Sequence, residues 1–422
     1  MTSGHPGFIT VLKNRNFLAL WLGQVVSNVG DYFYFLAVPI SVNRLTGSTT
    51  AMALSMMSIF VPQLLFGLLA GVSVDRWNRK QTMIVADVLR GLIVLLCLTI
   101  RSAEQVWLFY VVGFMVSTVS RFFFPARSAA IPLIVDKDEL IVANGLSQIT
   151  QTVALIVGSA LAGFAIGLWG EQVAFLADAL SFFVSAALIL SVTIPHRLSA
   201  RTGTWRAVWG ELTDGLSFIR HSRLLLGVLM SIGVIQLGIG AIQVIWVPFF
   251  QNYFGIGPEG LGIVDSVQGF GMALGALLLG YIAARLKRTT IVGLSVITVG
   301  LLIALMGLAP AFSLILVLSF CLGLFLSPGQ AALSTLIQLA VPDKKMGRVN
   351  SAIGTAGSVT MLASMALAGL LGDVVSLRAI YVACGVMIAA GGLTSLLIIP
   401  DIEPGAERDP AQAVAASLGS VD

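Results

Sequence analysis

The chain has 422 residues, of which 57% are hydrophobic and only 10% charged, with a mean hydropathy of +0.96. Soluble domains carry about 25% charged residues, so composition excludes a water-soluble enzyme or binding module and implies a helical protein that crosses the membrane many times. The formal charge of +4 and pI near 9.1 come from basic residues spread over the gaps between apolar runs, which fits membrane orientation and not nucleic-acid binding.

The first residues, MTSGHPGFITVLKNRNF, have no clean apolar core of a cleavable signal and lead directly into an apolar run, so the amino terminus is expected in the cytoplasm. Twelve runs follow that can cross about 30 Å of hydrocarbon. The first six fall at roughly 17–40, 50–72, 81–100, 105–125, 142–168 and 172–194, by hydropathy. The second six fall at roughly 223–250, 260–284, 289–308, 311–333, 349–372 and 377–399. The expected organisation is an all-α membrane protein of two six-helix pseudo-symmetric bundles, 1–194 and 223–400. A cytoplasmic linker over 195–222 joins them, and a disordered cytoplasmic tail over 401–422 follows. Of the 24 Lys and Arg residues, all but Arg44, Arg90, Arg101, Arg121 and Arg378 fall on one side of this arrangement, which makes that side cytoplasmic for both termini.

In the first span, Gln24, Asn28 and Asp31 share one helix face that would line a cavity between the halves. A mid-span acid costs about 2.5–3.5 kcal/mol on insertion scales, so Asp31 needs a role, either taking up and releasing a proton or hydrogen bonding for helix packing. Between spans two and three lies GVSVDRWNRK, with Gly71, Asp75, Arg76, Arg79 and Lys80. Its acid can meet a helix amino terminus, and its basic residues sit at phosphate level. Asp87 and Arg90, one turn apart in span three, read as an ion pair supporting this segment. Arg121 in span four either completes that cluster or reaches the cavity.

Asp178 in span six and Asp265 in span eight enter from the outer side, each a second candidate for proton exchange, an outer gate group, or an acid wetted at the interface. Further cavity candidates are Phe35, Gln148, Gln151, Gln236, Gln243, Trp246, Gln268 and Gln330, a mixture of amides and aromatic rings suited to an amphiphilic organic solute. The same amides can instead bond helix to helix. In the linker, Trp205, Trp209, Leu212, Leu216 and Ile219 recur at helical spacing, which predicts an amphipathic helix on the inner leaflet. Cys97, Cys321 and Cys384 lie in apolar runs with no metal or disulfide spacing, and no cofactor is expected.

The halves echo one another. SALAG ending at Gly163 recurs as ALAG ending at Gly369, and Pro125 in FFFPARSAAIP pairs with Pro328 in FLSPGQAAL. GVSVDRWNRK has a degenerate partner in GYIAARLKR, where Ala284 replaces the acid. At these residues the chain resembles the major facilitator superfamily. SNVGDYFYFLAVP, PARSAAIPLIV, ELIVANGLSQ and LADALSFFVSAALIL are similar to its bacterial branch of macrolide-efflux proteins and the enterobactin exporter. The resemblance implies a secondary active transporter in the bacterial cytoplasmic membrane, a proton-coupled exporter of small organic molecules by alternating access, with Asp75 latching the halves. Its expected partners are an organic or lipid-like substrate, protons and membrane lipids, with the chain a monomer.

The same resemblance leaves two other cargoes open: a lysophospholipid, and a metal ion, which the absence of His and Cys from span seven disfavours. An enzyme is disfavoured because His5, His196 and His221 lie outside or at the edges of the spans. A sensor or scaffold would append a sizeable soluble domain.

Overall fold

The computed structural model describes residues 8–74, 77–195 and 205–398. Asp75, Arg76, the linker residues 196–204 and the tail lie outside the described residues, as do the side chains of Trp205, Arg206, Trp209, Glu211 and Leu212.

Among the described residues every regular element is helical. A short α1 (Phe8–Leu12) precedes α2 (Arg15–Thr46), α3 (Thr49–Val74), α4 (Arg79–Leu95) and α5 (Trp107–Ile134). The fifth span is α6 (Leu140–Val153) and α7 (Ser159–Trp169), joined by a π turn at Ala154–Gly158, and α8 (Glu171–Ser191) is the sixth. The linker helix α9 (Trp205–Arg220) leads to α10 (Arg223–Phe254), α11 (Pro258–Ala283), α12 (Arg288–Leu308), α13 (Phe312–Ala340), α14 (Asp343–Leu371) and α15 (Leu377–Ile398). Among the described residues twelve spans, with α6 and α7 taken as one, are long and apolar enough to cross a membrane.

Local chemistry sets the ends. Asn14 caps α2, its side-chain oxygen accepting from Asn16 N at 3.0 Å and Phe17 N at 3.3 Å. Gly47, at φ 59°, closes the same helix, its N–H donating to Asn43 O at 2.8 Å. The fourth span outruns its sequence boundary at 125, because α5 continues through Pro125 and Pro132 to Ile134, and α2, α10 and α13 likewise carry Pro39, Pro248 and Pro328 within the helix. A proline removes one helix hydrogen bond, and packed neighbours let the helix continue past it. Arg127, placed by the sequence in a cytoplasmic loop, therefore lies inside α5.

The chain forms two compact units, residues 1–203 with 250–269 and residues 204–249 with 270–422. Each repeats one set of neighbours: α4 packs on α5 and α8, and α12 packs on α13 and α15. In the first unit, small residues let α2 and α8 approach closely. A methyl group at Gly23 would meet Ser185 Oγ at 3.2 Å, and one at Gly30 would collide with Ser181. In the second unit the amphipathic α9 packs on α14, not on lipid alone. Ile219 is buried with Leu225, Val349 and Ala352, Gly215 abuts the Arg348 backbone, Asp214 pairs with Arg348 at 3.0 Å, and Lys345 Nζ lies 4.2 Å from the Phe218 ring centre.

Candidate functional site

The polar centre of the first unit forms where α2, α4, α5 and α8 meet. Arg90 is 2% exposed and ion-paired with Asp87, which is fully buried. Its guanidinium carbon lies 4.5 Å from the Phe123 ring centre and 4.2 Å from that of Phe182, so two aromatic faces hold the cation in place. A long contact to Ser120 Oγ at 3.5 Å adds little.

Two more acids lie within electrostatic reach of Arg90: Asp31 on α2 and Asp178 on α8, each also acting on the other or on Asp87. Asp178 is 1% exposed, and neither carboxyl oxygen has a hydrogen-bond partner among the described residues. Its depth corrects one sequence alternative. An acid a few residues from a span end can meet interfacial water, but the close approach of α2 at Gly30 seals this one. Tyr34 brings a buried hydroxyl, without a partner among the described residues, into the field of Asp178. Sequence reasoning missed Tyr34, because a tyrosine among apolar residues carries no periodic signal.

Asp265 on α11 also belongs to the first unit, and its charge reaches Tyr32. The adjacent Ser266 donates to Ile156 O at 2.7 Å, a carbonyl of the π turn, or to Gly262 O at the same distance. A π turn widens the helix ladder and leaves a carbonyl free to accept from outside. Glycines carry this crossing too, since a methyl group at Gly163 would lie 2.7 Å from Pro258 O and 3.0 Å from Gly262 Cα.

The remaining sequence candidates scatter. Gln24 is 7% exposed and bonded to Arg127, and Asn28 lies beside the same small cavity. Gln148, Gln151 and Gln330 are exposed, while Phe35, Gln243 and Gln268 are half-buried. Gln236 contacts Met361 Sδ at 3.6 Å, and Trp246 is buried. Of the segment after span two, Gly71 lies in α3, Arg79 opens α4 with its Nε buried and unpartnered, and Lys80 Nζ donates to Leu190 O at 2.8 Å. Arg121 is half-buried, its Nε likewise without a partner. Cys97 and Cys384 are buried thiols, and among the described residues no group of His, Cys, Asp or Glu could hold a metal.

The model of one protein family, described as transmembrane secretion effector, matches residues 7–418. The chain belongs to that family. As a transmembrane secretion effector of the major facilitator superfamily it is a multi-pass membrane transporter and not an enzyme. Macrolide efflux protein A of Streptococcus pyogenes is 28% identical over 379 residues, 88% of this chain and 93% of that one. The enterobactin exporter EntS of Escherichia coli O1:K1 / APEC is 25% identical over 410 residues, 95% and 96% of the two chains. Among solved structures, the nucleoside transporter NupG superposes with a TM-score of 0.71 at 11% identity, covering 93% of this transporter and 100% of that chain. A bacterial homologue of the human lysosomal transporter Spinster gives 0.69 at 13%, covering 92% and 98%. These two likenesses establish the fold alone.

Proposed function

We propose that this transporter exports amphiphilic small organic molecules in exchange for protons, by alternating access, with Asp31 and Asp178 as the proton-exchanging pair. The observation that carries the proposal is the charge count of the buried centre. One guanidinium, Arg90, lies within electrostatic reach of three carboxyl groups, of which Asp87 and Asp178 are buried and Asp31 half-buried, and its ion pair is already made with Asp87. Three carboxylates cannot all be ionised around one cation in a low-dielectric interior, so the centre is suited to carry a proton.

Export is supported by the family description and by the efflux and exporter relatives. Asp265 is the second candidate, near Tyr32 and the crossing of α11 with the π turn. The proposed orientation, with both termini cytoplasmic in a bacterial inner membrane, rests on the one-sided distribution of Lys and Arg. The monomeric state is proposed with it.

Transport by the purified protein in liposomes tests the proposal, with lipophilic drugs and a labelled lysophospholipid offered under an imposed pH gradient. Drug movement that follows the gradient in the wild type, and is lost in Asp178→Asn or Asp31→Asn, is the expected result. Lysophospholipid movement independent of the gradient, with no drug movement, would reject it.

A further inference from the structure

In the second unit α12 and α15 cross backbone against backbone. A methyl group at Gly300 would collide with the Ala389 backbone, and one at Gly385 with that of Ala304. So close a crossing leaves little side-chain bulk along its flank. Beside it runs an open groove of about 730 Å³, room of the order of about 300–1,000 Å³ that small-molecule sites offer. Ala379, Ala383, Val386 and Ala390 line it at steps of three and four, an exposed face of α15 that is mostly methyl groups.

The two ends of the groove differ in chemistry. Ser376 and Arg378 line it where α15 begins. Arg378 Nη2 donates to Ala309 O at 3.3 Å, just past the end of α12, which stations the cation between two helix ends. The first-turn N–H groups of α15 have no intrahelical acceptor, and the positive end of the helix adds to the charge. From there to Ala390 the lining is apolar. Arg378 and Ala390 lie about 18 Å apart at 1.5 Å per residue, a little over half of the roughly 30 Å hydrocarbon core, which is the depth one acyl chain fills.

We infer that this groove is a binding site for one phospholipid, with an acyl chain along α15 and the phosphodiester on Arg378 and the start of that helix. A guanidinium and a helix amino terminus both favour a phosphate. A second copy of the chain suits the same face less well. Two copies related by an axis along the membrane normal would set their Arg378 cations at one depth, whereas a phosphate neutralises the charge. On the proposed orientation the lipid belongs to the outer leaflet, but the site depends neither on that orientation nor on the exporter reading.

The full-length protein, stripped of lipid in detergent, is titrated with phosphatidylglycerol, phosphatidylethanolamine and a diacylglycerol of the same chains, and bound lipid is counted by native mass spectrometry. One phospholipid per chain is expected. Both phospholipids should bind at least about ten-fold more tightly than the diacylglycerol, the scale of one hydrogen bond to a charged group. Arg378→Gln abolishes that preference. Ala383→Phe, which fills the groove and leaves the cation in place, weakens phospholipid binding at least about ten-fold through lost chain contact, and guards against a merely misfolded Arg378 variant. Leu92→Phe, on an exposed face of α4, is the control and leaves binding unchanged.

Diacylglycerol bound as tightly as phospholipid, phospholipid binding that survives both groove variants, or Leu92→Phe as damaging as Ala383→Phe overturns the inference. So does a dimer of the chain that holds no lipid and is broken by Ala383→Phe, which would give the groove to a second copy.

Discussion

Asp87 and Arg90 form an ion pair one helical turn apart on α4, with the cation held between Phe123 and Phe182. The pair is buried, so removing one partner strands the other. Arg90→Met is expected to cost about 3–5 kcal/mol, since it leaves buried acids with no counter-charge. The double variant Asp87→Asn/Arg90→Met should be less destabilised than Arg90→Met alone. Thermal unfolding of the purified proteins in one detergent checks this, and a double variant no more stable than the single would show that the cation's other neighbours matter more than Asp87.

The crossing of α7 and α11 depends on the absence of side chains at Gly163 and Gly262, where a Cβ on either would press on the other helix backbone. Gly262→Val is expected to reduce the initial transport rate at least about ten-fold, because the helices must separate to admit two methyl groups. Gly280→Ala, where a Cβ meets nothing within 4 Å, serves as the control and should change the rate less than two-fold, as expected of a substitution that meets no neighbour. Equal effects of the two would remove the packing argument.

Ser266 Oγ lies 2.7 Å from Ile156 O of the π turn and 2.7 Å from Gly262 O of its own helix, and its one proton serves either. Ser266→Ala removes a hydrogen bond with a net contribution of about 1 kcal/mol. The expected result is roughly five-fold faster hydrogen–deuterium exchange of the amides around 154–160, a factor that follows from that energy. Unchanged exchange there would mean that the π turn is held by packing at Gly158 and Gly269 instead.

The linker helix offers a contrast between charge and packing. The Asp214–Arg348 pair is largely exposed, and such pairs contribute about 0–1 kcal/mol, so Asp214→Asn should leave the docking of α9 on α14 intact. Gly215→Leu places a large side chain against the Arg348 backbone and Ala352 and should release the helix. Limited proteolysis of the linker reads both: cleavage is expected to accelerate only in Gly215→Leu.

Much of this was legible in the sequence because hydrocarbon imposes simple rules. Run lengths gave twelve spans, and the acid at Asp31 and the Asp87, Arg90 spacing announced polar groups that need partners. Arg127 was misplaced, because charge beside a proline reads as a loop while α5 in fact continues for another two turns. The depth of Asp178 was not legible either, since burial depends on Gly30 of a distant helix meeting Ser181. The π turn, within ALIVG, has only Gly158 as a local signal, and its Ile156 carbonyl lies within hydrogen-bond distance of Ser266 from α11. Sequence reads composition along one helix, whereas these features are set by which helix lies opposite.

The most direct test of the central claim is the change of lumenal pH in pyranine-loaded proteoliposomes when an exported drug is supplied from outside, where its entry draws protons out of the lumen. The account predicts a drug-dependent proton flux in the wild type that disappears in Asp178→Asn, because an amide neither takes up nor releases a proton. Proton flux undiminished in both Asp178→Asn and Asp31→Asn would contradict it and move the coupling site away from the Arg90 centre.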